Sequence, residues 1–138
     1  MNYTVYDQIH TITALQTDRV VHFLHTRLEQ YGDSEGAIRK AIDYAAKRKT
    51  GFGGYIITLE EEHEIIGAVV INRTGMEDYI PENILVYIAL HRAHRGKGLG
   101  GELMKYAVEQ CRGDVALHVE KDNPAIRLYE KLGFTTPY

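Results

Sequence analysis

Apolar residues recur along this chain with two different periods, and the changes of period divide it into elements. Between Asp18 and Gly32, the residues Val20, Val21, Leu24 and Leu28 return at helical spacing. A helix is predicted there, capped by Asp18 and ended by Gly32. A narrower stripe of Ala37, Ile38, Ala41, Ile42 and Ala45 follows Ser34, and Lys47, Arg48 and Lys49 suit the negative carboxyl end of that second helix. Two strand-like runs, Tyr55 to Leu59 and Ile65 to Ile71, flank the acidic turn Glu60-Glu61-Glu62-His63-Glu64, the pattern of an antiparallel hairpin. A polar loop from Asn72 to Asn83 leads into Ile84 to Leu90, an unbroken apolar run of the kind found in buried strands. A third helix carries Leu99, Leu103, Ala107, Val108 and Cys111 on one face, and Val115 to Val119 reads as another strand. A fourth helix is expected from Asn123-Pro124 to about Gly133, the Asn as cap and the Pro at the first helical position. The first 16 residues are weakly patterned, with a short strand expected around Ile9 to Thr13.

The order (β)ααβββαβα points to an α/β (α+β) chain with a mixed, largely antiparallel sheet and one right-handed βαβ crossover near its end. At 138 residues, against roughly 150 per domain, residues 1–138 form one expected domain. The 44% apolar content supports a real core, and the net charge of −3 argues against a general nucleic-acid binder. Cys111 is the single cysteine, which leaves no disulfide framework and no cysteine zinc cluster. The longest apolar run is far short of the roughly 20 residues a membrane span needs. The opening MNYTVYDQIH has neither the basic start nor the apolar stretch of a secretory signal. A cytoplasmic protein with no nucleic-acid or membrane partner is expected.

The chemistry concentrates in Leu90-His91-Arg92-Ala93-His94-Arg95-Gly96-Lys97-Gly98-Leu99-Gly100-Gly101, which joins a buried strand to a helix. Glycines let a ligand approach the backbone, and the N–H groups and dipole of a helix start favour an anion. Two Arg, one Lys and two His with no acid between positions 91 and 97 make a positive patch on an acidic chain, suited to a phosphate-bearing ligand. The plainer alternative is a glycine-lined turn with solvated basic residues. A second alternative is a nicotinamide-dinucleotide site: Gly96 to Gly101 fits G-x-G-x-x-G, and Glu120 lies roughly 20 residues on. Against it, residues 91–95 separate the strand from the first glycine, and only one βαβ unit is present.

The segment Arg95-Gly96-Lys97-Gly98-Leu99-Gly100 matches R-x-x-G-x-G and resembles the cofactor loop of the GNAT superfamily of acyl-CoA-dependent N-acetyltransferases. Asn123-Pro124-Ala125-Ile126-Arg127-Leu128-Tyr129-Glu130-Lys131-Leu132-Gly133-Phe134 is similar to a second motif of that family, a helix ending in Y-E-K-L-G-F. The resemblance covers about residues 53–134 and implies a splayed parallel strand pair that receives acetyl-CoA as cosubstrate, with no metal. It implies that main-chain groups of Ile88, Ala89 and Leu90 pair with the pantetheine arm, and that the Leu90 N–H polarises the thioester carbonyl. It also implies that the backbone of Arg95, Gly96, Lys97, Gly98, Leu99 and Gly100 cradles the diphosphate, that Asn123 contacts the cofactor, and that Tyr129 protonates the leaving thiolate. The acceptor would be a primary amine of a small molecule or peptide. A non-catalytic acyl-CoA-binding or regulatory module is the alternative of another class.

Two departures from the family pattern stand out. Asn123 lies six residues before Tyr129, where the family commonly has seven, so Asp122 competes with it for the cofactor contact. The chain also stops at Phe134-Thr135-Thr136-Pro137-Tyr138, where the family usually adds two strands. A second subunit covering the exposed sheet edge, as in a homodimer, or a chain cut short, is the expectation.

His118, in the Val115 to Val119 segment, is a candidate general base beside its alternative as a satisfied histidine. The pairs His91/His94 and His22/His25 lack a third ligand of suitable spacing, so no metal site is expected. Tyr129 shares an apolar face with Ala125, Ile126 and Leu132 and by pattern alone reads as a packing residue. Cys111 reads as a small buried hydrophobe. The segment from Glu29 to Glu35 and the loop holding Glu77, Asp78, Tyr79 and Glu82 are acidic and aromatic, which would favour a cationic amine if they border the cleft.

Overall fold

The computed structural model describes residues 1–48, 50–75, 81–119 and 123–135. Its elements run β1 (Asn2–Tyr6), α1 (Ala14–Leu28), α2 (Glu35–Ala45), β2 (Gly54–Glu61), β3 (Glu64–Arg73), β4 (Asn83–Leu90), α3 (Leu99–Glu109), β5 (Val115–Leu117) and α4 (Ile126–Lys131). The strands form one sheet in the order β1-β2-β3-β4-β5, antiparallel throughout except for the β4–β5 pair.

Local chemistry sets the element ends. The first strand lies at Asn2–Tyr6, not at Ile9 to Thr13, because the Asp7 carboxylate accepts from the N–H groups of Ile9 and His10 and turns the chain there. α1 begins at Ala14, a turn before Asp18: Thr13 and Gln16 close a reciprocal capping box at 2.9 and 3.1 Å. Asp18 sits inside the helix, paired with Arg39 at 2.8 Å. Ser34 caps α2 by accepting from the Ala37 N–H at 3.2 Å, as its position before the apolar stripe implied. The β2–β3 hairpin turns on Glu62 and His63, both with positive φ, the backbone of a tight I′-type turn.

Both faces of the central strands are covered. On one side α1 and α2 pack Val20, Leu24, Ile38 and Ile42 against Ile56, Val70 and Tyr87. On the other, Leu103, Met104 and Ala107 of α3 pack against Ile57, Val69 and Leu85. Burial on both faces is why β2, β3 and β4 read as apolar runs without alternation.

β4 carries the feature that shapes the site. Val70 faces Tyr87 while Ile71 faces Leu85, so Val86 is an extra residue in the ladder. In a regular strand residues two apart share a face; here Leu85 joins the α3-side core and Tyr87 the α1/α2-side core. β5 pairs with β4 only from Asn83 to Leu85. It is latched there by Asn83, whose side-chain amide donates to the carbonyls of Arg112 and Asp114, and by Glu82, whose carboxylate accepts from the Asp114 N–H. Among the described residues no strand runs along the β5 side of β4 beyond the bulge, where β3 alone stays paired, and no strand follows α4.

Candidate active site

The glycine-rich loop sits between the end of β4 and the start of α3, as its sequence predicted. His91 donates its N–H across to Ile66, a 3-10 turn covers Arg92–His94, and the chain then passes through Gly96 and Gly98 at φ 79° and 80°. Only glycine adopts these left-handed angles without strain. A Cβ built at either position meets no atom within 4 Å, so the glycines serve backbone shape and open one side of the loop to a ligand. The first helical bond of α3 is Glu102 N–H to Gly98 O, which leaves the N–H groups of Leu99, Gly100 and Gly101 without a helical partner, and unspent among the described residues, at the positive end of the helix dipole. Gly100 and Gly101 lie against Leu128 of α4, whose methyl carbons would touch a Cβ there at 3.5 and 3.6 Å.

Arg95 turns inward. Its Nε donates to Leu90 O at 3.1 Å and its guanidinium to Arg27 O at 2.9 Å, so the side chain ties the loop to β4 and to the end of α1. Arg92 pairs with Glu29 at 2.8 Å, and that hydrogen bond holds the Glu29 carboxyl below its usual range. Lys97 stays exposed.

Because His91 bonds toward β3, strand alternation turns the N–H groups of Ile88 and Leu90 to the opposite edge, the one that β5 has left. A stretch of N–H groups without a strand partner among the described residues therefore leads from the bulge to the start of α3, with the Leu90 carbonyl taken by Arg95. Tyr129, on α4, packs on the same core as Ile88, Leu90 and Leu117, with its ring edge-on to Phe134 at 6.3 Å. Burial raises its phenol above the ordinary tyrosine value and keeps it protonated. A cleft of about 820 Å³ opens between α3, β5 and α4, and both Tyr129 and His118 line it. It does not include the glycine loop. His118 lies one residue past β5, exposed, instead of in mid-strand. Asn123 accepts from the Ala125 N–H at 2.9 Å and so shapes the turn into α4, which begins at Ile126, later than its sequence suggested. Cys111 is half-buried, its thiol pushed up to about 11 by burial, in keeping with a packing role. Among the described residues no cluster of three metal-ligating side chains occurs, and no helix is long and apolar enough to cross a membrane.

The model of the acetyltransferase (GNAT) family matches residues 16–134. The chain belongs to the GNAT acetyltransferase family. Over 75 residues it is 37% identical to mycothiol acetyltransferase of Corynebacterium glutamicum (strain R), a match covering 50% of this chain and 26% of that protein. It thus spans about a quarter of that relative's length. Among solved structures, a transcriptional regulator from Bacillus halodurans C-125 superposes with a TM-score of 0.69 at 24% identity, over 99% of this chain and 95% of that one. The ribosomal-protein-S18-alanine N-acetyltransferase of Escherichia coli gives 0.68 at 17% identity, over 97% and 78%. At these identities the two structures show the GNAT fold alone. That fold leaves the dinucleotide alternative without its sheet, since β3 runs antiparallel to β4.

Sequence reasoning did not find the inward clamp of Arg95, the bulge at Val86, or a bond between Tyr87 and Asp33 at 2.5 Å. Hydrophobic pattern carries no signal for any of them. Glu77, Asp78, Tyr79, Glu120 and Asp122, named as acceptor-side, dinucleotide or cofactor candidates, lie outside the described residues.

Proposed function

We propose that the protein transfers the acetyl group of acetyl-CoA to a primary amine of a small molecule or peptide, by direct attack, in the cytoplasm. The observation that carries this reading is the free edge of β4: it opens at the bulge and ends at the unspent N–H groups of α3. Such an edge suits an extended amide-bearing arm, and the α3 start suits a diphosphate. In this reading Ile88, Ala89 and Leu90 hold the arm, and the Leu90 N–H stabilises negative charge on the carbonyl oxygen under attack. The backbone from Arg95 to Gly100 holds the diphosphate. The new nitrogen–carbon bond replaces the carbon–sulfur bond, Tyr129 gives its proton to the leaving sulfur, and the ammonium proton leaves through His118 or a water. Inward use of the Arg95 guanidinium leaves its main chain for the ligand, and the Asn123 side chain, spent on the α4 turn, supports a positioning part.

Thermal unfolding with acetyl-CoA, CoA, NAD, NADP or no ligand tests the reading. A ligand specific to the folded state, at about 100 times its dissociation constant, adds roughly 2.7 kcal/mol. Stabilisation by acetyl-CoA and CoA alone, followed by CoA release with a panel of amines, is the expected result. Stabilisation by NAD or NADP alone overturns it, and stabilisation without turnover of any amine turns the reading to a non-catalytic acyl-CoA module.

A further inference from the structure

We propose that the carboxylate of Asp33 holds a second cationic group of the acceptor, so that diamines and other dications are preferred over simple monoamines. The inference rests on the acetyl-transfer reading and names the acceptor class for that reaction. Tyr87 is the first residue past the bulge, and its buried ring points to the α1/α2 side of the sheet. Its hydroxyl donates to Asp33 Oδ2 at 2.5 Å, which fixes a carboxylate from the α1–α2 connection one tyrosine side chain above β4. β5 leaves β4 at Leu85, two residues earlier, so this carboxylate stands over the stretch of β4 that β5 has left, on the α1/α2 side of the sheet.

The other acids around that connection already have partners: Glu29 pairs with Arg92 at 2.8 Å, and Glu35 lies 3.8 Å from His25. Among the described residues Asp33 forms no ion pair. A phenol orients a carboxylate without cancelling its charge, as an arginine would, and it occupies one of the two oxygens. The remaining oxygen of this exposed residue is open to a cationic donor. A substrate whose reacting nitrogen lies at the level of β4 and whose second ammonium lies a tyrosine's length away satisfies both ends.

The test compares butylamine with diaminobutane as acceptors for the wild type and for Asp33→Asn, which keeps an oxygen to accept from Tyr87. The wild type is expected to prefer the diamine roughly tenfold in kcat/KM, and Asp33→Asn to bring the ratio near one through KM. Acetyl-CoA should still raise the variant's melting temperature, which excludes misfolding. Tyr87→Phe, which leaves the charge but frees it, is expected to give an intermediate ratio. A wild type without diamine preference, or a ratio unmoved in Asp33→Asn, overturns the proposal while leaving acetyl transfer intact. If the wild type acetylates no amine, the acetyl-transfer reading fails separately. Calorimetric titration of diaminobutane into the CoA-loaded protein then decides Asp33: binding lost in Asp33→Asn upholds it, and no binding overturns it.

Discussion

Arg95 Nε donates to the carbonyl oxygen of Leu90 at 3.1 Å, so the residue that opens the glycine loop closes back on the last residue of β4. The same guanidinium reaches Arg27 O at 2.9 Å. Strand end, loop and helix α1 are thereby held in one arrangement, and any ligand touching both Leu90 and the loop depends on it. Arg95→Gln cannot span both carbonyls. Hydrogen bonds from charged donors contribute about 1.5–3 kcal/mol, less at a half-exposed site, so about 1–2 kcal/mol is expected in total. Urea denaturation should register that loss, and calorimetry should show acetyl-CoA affinity falling about tenfold. An unchanged affinity would make Arg95 a surface clamp without bearing on the ligand.

Gly98 supplies a different kind of constraint. It caps α3 at φ 80° with open space around it, so Gly98→Ala meets no clash and pays only for the left-handed backbone. That strain is about 1–2 kcal/mol. The loop can relieve it by turning its N–H groups away, which weakens anion binding more than stability. The expected outcome is a fall in melting temperature of a few degrees, with acetyl-CoA affinity reduced by tenfold or more in calorimetry. Equal affinity in both proteins would remove the loop from the binding site.

How much of this was legible in the sequence depends on the range of the interaction. Ser34 before α2 and the glycines before α3 act within a few residues, and pattern finds them. Asp18 misled because it has the chemistry of a cap, while the Thr13–Gln16 box one turn earlier already satisfies the N–H groups of Thr13 and Gln16 and starts the helix there. The bulge at Val86 was hidden because the run from Ile84 to Leu90 is apolar at every position, so a slip of one residue changes no letter of the pattern. Arg95 with Arg27, and Tyr87 with Asp33, are 68 and 54 residues apart; only the fold brings them together. The family motifs reached further than periodicity, since they carry long-range arrangement in short words.

Tyr87 makes alkaline stability a readout of its bond. Burial first, then the hydrogen bond and charge of Asp33, raise its phenol well above the ordinary value of 10. The folded state therefore retains a proton that the unfolded chain releases. Stability contributed by this group is complete below pH 10 and declines as the pH rises toward the folded value. Urea titrations between roughly pH 8 and pH 11 should show that decline, and Tyr87→Phe should flatten it. A wild-type curve with no slope above pH 10 would mean that the phenol ionises freely in the fold.

Tyr129→Phe separates binding from chemistry. The ring packs on the core and against Phe134, so the loss of one hydroxyl leaves the fold and the acetyl-CoA site in place. A general acid of this kind contributes about 10²–10⁴ in rate. Turnover should fall by that order while acetyl-CoA still raises the melting temperature. Burial lifts the wild-type phenol above 10, so an alkaline limb that reports this acid belongs above pH 10, where activity declines as the proton is lost. A limb well below that, or full activity in the variant, would assign the proton to another group.

Deletion of Val86 tests whether the opening of the sheet is built into the register of β4. Without the extra residue, Leu85 and Tyr87 become consecutive opposite the consecutive pair Ile71 and Val70, so the ladder is regular and each side chain keeps its native face. A strand without the bulge loses the local bend that a bulge imposes, so β5 can follow β4 past Leu85 and close the opening while both cores stay packed. Val86→Ala keeps the count of residues and should cost no more than about 1–3 kcal/mol with acetyl-CoA binding retained. The expected contrast in urea denaturation and acetyl-CoA titration is an alanine variant that folds and binds, and a deletion that folds but is blind to acetyl-CoA. A deletion that folds and binds like the wild type would show that β4 parts from β5 for reasons other than the bulge, and would leave the latch at Asn83 and Glu82 as the cause.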